Sequence, residues 1–137
     1  MKKLLLLILC TTTLGLVSCK KDTIIYEPTS RTYYFNIQPN QWVLSGDGYT
    51  YTYEWNNPNV INDVTLENDA VLVYVSHPIN SDSDIAIPST FDGRAYSFEL
   101  FNGGMRVDIQ SSDLQADAPV TPSGITRVKV VVIQSST

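Results

Sequence analysis

The sequence predicts an all-β protein: a single antiparallel β-sandwich of immunoglobulin-like size, with about six to eight strands, over residues 32–134. Three observations carry this expectation. Apolar and polar residues alternate with a period of two through most of the chain beyond residue 31. The runs are separated by segments rich in Asn, Asp, Gly, Pro and Ser. No stretch longer than about ten residues keeps an apolar stripe at helical spacing.

Taken in order, the first strand is expected over residues 31–37, with Tyr33, Tyr34 and Phe35. Next, Tyr49, Tyr51, Tyr53 and Trp55 alternate with Thr50, Thr52 and Glu54. Successive side chains of a strand point to opposite faces, so this run has one aromatic face and one polar face. Residues 60–66 fit either one helical turn or a short strand. Residues 70–75 are apolar almost throughout, and 128–133 nearly so after Lys129. Short β-branched runs of this kind suit central strands covered on both faces, or strands of a sandwich core.

Tyr96, Phe98 and Leu100 alternate with Ser97 and Glu99, and Met105, Val107 and Ile109 with Arg106, Asp108 and Gln110. Between them stands Asn102-Gly103-Gly104. Asn and Gly tolerate the positive φ that tight hairpins demand, so residues 95–101 and 105–110 read as a hairpin. Turns are expected at 45–48, 56–59, 80–84 and 118–124. Residues 135–137 form a frayed polar tail.

The first 30 residues concern address. Met1-Lys2-Lys3 precedes an unbroken apolar run from Leu4 to Leu9, the charged and apolar parts of an export signal. A spanning helix needs roughly 20 mostly apolar residues, and Thr11, Thr12 and Thr13 interrupt this one. Leu16-Val17-Ser18-Cys19 then resembles the lipobox of bacterial lipoproteins. That resemblance implies a signal peptide over 1–18, cleavage before Cys19, and acylation of the Cys19 thiol and amine. Ser18 supplies the small residue that lets the peptidase approach, whereas Leu9 precedes Cys10. Two or more acyl chains, at about 0.8 kcal/mol per buried methylene, hold a protein on a membrane essentially permanently.

Residues 19–31 read as the lipidated Cys and a flexible tether, in which Pro28 discourages regular structure. Lys20 beside the lipidated residue argues against retention at the inner membrane, which places the protein at the outer membrane with its leaflet open. Cys19-Lys20-Lys21-Asp22 and the short tether resemble the small lipoproteins of the Bacteroidetes. Asp22-Thr23-Ile24 matches the short O-glycosylation sequence used in that phylum, with Thr23 as acceptor, and reads equally as plain polar linker.

Composition narrows the chemistry. Cutting 18 residues from 137 leaves 119, enough for a single core. Both cysteines are spent, Cys10 with the signal and Cys19 on lipid, so the domain has neither disulfide nor thiol nucleophile. Loss of Lys2 and Lys3 from nine basic residues leaves seven against 14 acidic ones. Such a domain repels phosphate backbones, so nucleic acid is not an expected partner.

The order of apolar features is also familiar: Trp42, the run ending at Trp55, Val60-Ile61, the strand from Ala70 to Val75, Ile87-Pro88, Met105 to Ile109 and Arg127 to Ile133. It resembles a β-sandwich domain of small Bacteroidetes lipoproteins, sometimes found after collagen-like repeats. This chain departs from that pattern in lacking Gly-x-y repeats and in carrying Asn68-Asp69 before the central strand. The resemblance implies a sandwich on a lipid tether and brings no activity with it.

No catalytic constellation stands out, and the expectation is that the protein is not an enzyme and takes no metal or cofactor. His77 is the one histidine, with no Gly-x-Ser-x-Gly elbow near it. Asn80-Ser81-Asp82-Ser83-Asp84 alternates oxygens as a calcium loop does, but lacks the glycine and the distal bidentate Glu. Paired carboxylates for glycoside hydrolysis are numerous, and composition does not say which are close.

The aromatic ladder Tyr49, Tyr51, Tyr53 and Trp55, with Trp42, is the candidate ligand or partner surface. Facing solvent it is a platform for sugar rings or for an envelope protein. Facing inward it is core, the better fit, because the opposite face of that strand is polar. The expected function is thus a lipid-anchored envelope module acting by binding or structure, with a glycan-binding or adhesion accessory protein as the alternative.

Overall fold

A computed structural model describes residues 29–80, 82–113 and 121–135. The expected signal peptide, Cys19, Thr23 and most of the tether lie outside these described residues. Within them the fold is an all-β sandwich of two antiparallel sheets.

Nine strands appear in chain order: β1 (Ser30–Ile37), β2 (Val43–Leu44), β3 (Thr50–Asn56), β4 (Ala70–Ser76), β5 (Asp84–Ile87), β6 (Ser89–Phe91), β7 (Arg94–Phe101), β8 (Gly104–Ser111) and β9 (Thr126–Ile133). The four-stranded sheet has the order β1-β9-β4-β5, and the five-stranded sheet β2-β3-β8-β7-β6. The long runs of alternation all became strands. β2, β5 and β6 are added at sheet edges, two to four residues each. β1 starts at Ser30, which pairs with Ile133, so Ser30 and Arg31 already belong to the sheet.

The undecided segment is settled by its cap. Helix α1 (Asp63–Asn68) starts after Asn62, whose side-chain oxygen accepts from the Thr65 amide at 3.1 Å. That bond satisfies one of the free donors at a helix start. The Thr65 hydroxyl is buried and donates to the Val60 carbonyl at 2.9 Å.

The predicted hairpin joins β7 and β8, with Phe101 paired to Gly104. Only Gly103 uses positive φ (+104°) there; Asn102 does not. A second tight hairpin joins β6 and β7 at Asp92-Gly93, where both residues have positive φ (+51° and +70°). Two left-handed residues in a two-residue loop match the right-handed twist of the flanking strands. Gly104 is required for a different reason: a Cβ there would collide with the Trp55 carbonyl oxygen and sit 3.1 Å from the Asn56 Cα.

Between the sheets lie the fully buried side chains Ile37, Val73, Val75, Met105, Val107, Ile109, Val128 and Val130, with Ile61 from the segment before α1. The chain passes from one sheet to the other at Pro88, after a cis Ile87–Pro88 bond. Proline has no N–H to continue a ladder, so β5 ends there and β6 begins in the facing sheet.

The runs 70–75 and 128–133 are central strands, yet only one face of each is covered. Leu72, on the outer face, remains 44 % exposed. Their apolar character therefore reflects sandwich-core strands rather than strands buried on both sides.

The two ends of the sandwich differ. At one end the Gln134 amide donates to the Thr29 carbonyl at 3.0 Å and the Ser135 amide to Asp69 Oδ1 at 3.3 Å. Thr29, Ser135 and α1 thus gather at one pole. The other pole carries the turns after β2, β4 and β6.

Candidate functional site

The aromatic ladder on β3 turns inward. Phe35 of β1 stacks on Trp55 with ring centroids 4.9 Å apart and 14° between planes, and on Tyr53 at 5.8 Å and 22°. Tyr33 meets Trp55 at 6.3 Å, and Trp42 presents an edge contact to Tyr53 at 6.4 Å. Tyr51, Tyr53 and Trp55 are half-buried against the core, and Trp42 is 6 % exposed. The Trp42 indole nitrogen is buried without a hydrogen-bond partner among the described residues. Tyr49 precedes the strand and is 49 % exposed. Its amide donates to Asp47 at 2.9 Å. Hydrogen bonds from the Ser45 hydroxyl and this amide hold the Asp47 carboxyl below the ordinary range.

His77 follows β4. Its Nδ1 accepts from the backbone amides of Ile79 and Asn80, each at 3.1 Å. In the neutral ring this puts the proton on Nε2. The imidazole stacks on Phe91 at 5.6 Å, and Phe91 lies over Tyr96 at 4.3 Å and 3°. The histidine therefore shapes a loop and ends an aromatic stack. The adjoining Ser76 hydroxyl accepts from the Arg127 amide at 3.0 Å. Burial pushes the Tyr96 phenol above its usual range.

Ser76, His77, Tyr96, Ser123 and Thr126 line a cleft of about 110 Å³. Another, of about 250 Å³, lies by Arg31, Tyr33, Asn62, Thr65 and Gln134 at the pole that carries α1. Both fall below the roughly 300 to 1,000 Å³ of small-molecule sites. Among the described residues no group of three or more His, Cys, Asp or Glu is placed to hold a metal ion, and no helix is long and apolar enough to cross a membrane.

Asp84, the last member of the calcium-like run, is the first residue of β5 and has both oxygens on cations. Lys129 Nζ donates to Oδ2 at 2.7 Å and Arg127 Nη2 to Oδ1 at 2.9 Å. These bonds, from Lys129 first and then Arg127, hold the Asp84 carboxyl below its ordinary value and raise both cations. The Lys129 ammonium also sits 4.3 Å from the centroid of the Tyr74 ring, a cation–π contact.

The register places these residues in one plane. Tyr34, Lys129 and Tyr74 are direct cross-strand partners across β1, β9 and β4. Asn36 and Arg127 form the next pair of the same outer face, with Ser76 and Asp84 beyond them on β4 and β5. Tyr34 is 63 % exposed. No protein-family model, curated protein or solved structure matches the chain. The site is therefore read from its own chemistry.

On the outer face of the five-stranded sheet, Asp108 is buried between Thr52 and Ser97. Burial raises its carboxyl above the ordinary value, against the attraction of Arg106. Arg106 Nε donates to Oδ2 at 3.4 Å and lies 3.2 Å from Oδ1, which has no aligned hydrogen bond among the described residues. Arg106 also pairs with Glu99.

Apart from Asp84, which the calcium-like run contains, the outer row Tyr34, Tyr74, Arg127 and Lys129 carries no signal in the sequence that groups it. Period-two alternation puts Tyr34 opposite Tyr33, but it does not reveal that Tyr74 and Lys129 stand beside Tyr34. That neighbourhood exists only once β9 is inserted between β1 and β4.

Proposed function

We propose that the protein is a lipid-anchored module of the bacterial cell envelope, acting by binding or by structure and without catalysis. The observation that carries this reading is Leu16-Val17-Ser18-Cys19 after a charged and apolar leader, ahead of a folded domain that begins at Ser30. Acyl chains on Cys19 attach it to the outer membrane. Residues 20–28 then set its distance from the lipid.

Two features support the reading. The chain emerges at the pole that gathers Thr29, α1 and Ser135. An anchor there keeps the point of attachment clear of both outer sheet faces and of the opposite pole. The one histidine is also part of a loop: His77 Nδ1 accepts from two backbone amides.

The test is metabolic labelling with radioactive palmitate. The wild-type chain is expected to take up label and to sediment with the outer membrane. Cys19→Ala is expected to lose the label and to accumulate as uncleaved or released protein. Label persisting in Cys19→Ala overturns the reading.

A further inference from the structure

The outer face of the four-stranded sheet carries a second set of aromatic and polar groups, unrelated to the ladder on β3. Tyr34 and Tyr74 stand on either side of Lys129, two strand spacings or roughly 10 Å apart. Tyr34 is 63 % exposed, although its neighbour Tyr33 packs inward against Trp55. Burial in the core accounts for Tyr33; nothing in the packing of the sandwich calls for a large ring at Tyr34.

Beside the two rings lies a fixed polar set. Asp84 holds Lys129 at 2.7 Å and Arg127 at 2.9 Å, and Lys129 is further pinned over Tyr74. These side chains reach their positions through contacts with one another, so a ligand does not have to order them. Arg127 gives Nη2 to Asp84 and keeps its side chain 46 % exposed, while Asn36 stands directly across from it on β1.

We infer that this face binds a neutral polysaccharide. Three properties select that ligand class. The surface is the outer face of a sheet rather than a cavity, which suits an extended chain better than a small molecule enclosed in a pocket. Its charges largely offset one another: Asp84 on the sheet pairs with both Arg127 and Lys129, and Asp82 in the preceding loop adds a second negative charge to that neighbourhood. A balanced surface attracts neither polyanions nor polycations, and a chain of net charge −5 is a poor host for polyanions in any case. Finally, planar guanidinium, carboxylate and amide groups beside the exposed Tyr34 ring match what a sugar ring presents. The C–H face lies on Tyr34, and adjacent hydroxyls bond to Arg127 and Asn36. The proposal goes beyond membrane attachment and does not depend on it.

The experiment is affinity electrophoresis of the full chain, purified in detergent, through gels containing mannan, xyloglucan, dextran or polygalacturonate. Retardation is expected with at least one neutral polysaccharide. Tyr34→Ala is expected to weaken it about tenfold, the loss of one strong ring-stacking contact. Tyr34→Phe, which keeps the ring, is expected to bind within a few-fold of wild type. Circular dichroism of Tyr34→Ala checks that the sandwich remains intact. Absence of retardation with every neutral polysaccharide overturns the proposal. So does retardation that survives Tyr34→Ala, or retardation by polygalacturonate alone. Loss of palmitate labelling would leave this binding unchanged, so the two readings fail separately.

Discussion

Tyr33 and Tyr34 are adjacent in β1, identical in chemistry and opposite in position. Tyr33 points between the sheets, where it meets Trp55, shares its strand face with Phe35 and stands across from Val130. Tyr34 points outward and stands beside Lys129, largely exposed. The same division separates two groups of aromatic residues across the molecule. The inner group is held by other rings and by the apolar core. In the outer group Tyr74 lies under the Lys129 ammonium, which is itself paired with Asp84, while Tyr34 stands largely in solvent. Aromatic content therefore does not locate a surface in this protein; strand parity and neighbouring strands do.

Mutations that remove inner rings test that contrast most sharply. Trp55→Ala deletes the stack on Phe35 and the contact with Tyr33. A loss of about 3 kcal/mol is expected in urea unfolding. Tyr34→Ala, on the same sandwich, is expected to stay within about 0.5 kcal/mol of wild type. Equal losses for the two would abolish the distinction between inner and outer rings.

Gly104→Ala follows, at about 2 kcal/mol, because its methyl group meets the Trp55 carbonyl and forces β3 and β8 apart. The same urea titration measures it. A neutral effect would mean that the β3–β8 pairing yields at that point, and that the inner seam is looser than its stacking implies.

The smallest effects concern two outward carboxylates on opposite sheets. Asp84 has a lowered pKa through Lys129 and Arg127. Its contribution is present above the ordinary carboxylate value of 3.8 and is lost as pH falls through its folded value. Asp108 has a raised pKa through burial, so its ionisation costs stability as pH rises through its folded value. Asp108→Asn is accordingly expected to stabilise the protein slightly at neutral pH, with the gain fading in acid. Asp84→Asn is expected to destabilise it at neutral pH, with that loss fading in acid. Thermal unfolding across a pH series measures both, and parallel behaviour of the two variants would contradict the contrast.

Much of the architecture was legible because long strands repeat their signal. β3, β7 and β8 carry seven or eight residues each, enough for period two to stand out. The edge strands β2, β5 and β6 were missed because two to four residues contain too little alternation. The β6–β7 turn was a different case. Asp92-Gly93 is a strong hairpin signal in plain sight, and both residues adopt the positive φ it implies. The ladder on β3 illustrates the limit in the other direction. Its polar opposite face favoured an inward position, and the rings pack inward, but their partners Phe35 and Tyr33 could not be named in advance.

The sequence by itself determined the all-β class and the sandwich, because alternation and turn chemistry are local properties of consecutive residues. It also contains the motif around Cys19 on which the proposed attachment rests, since a processing signal is read as linear sequence. Tertiary structure alone decided which strands became neighbours. β9, the last strand, inserts between β1 and β4 and brings Lys129 and Arg127 to Tyr34, Tyr74 and Asp84. That placement depends on contacts between residues up to about a hundred positions apart, whose energies no local pattern encodes.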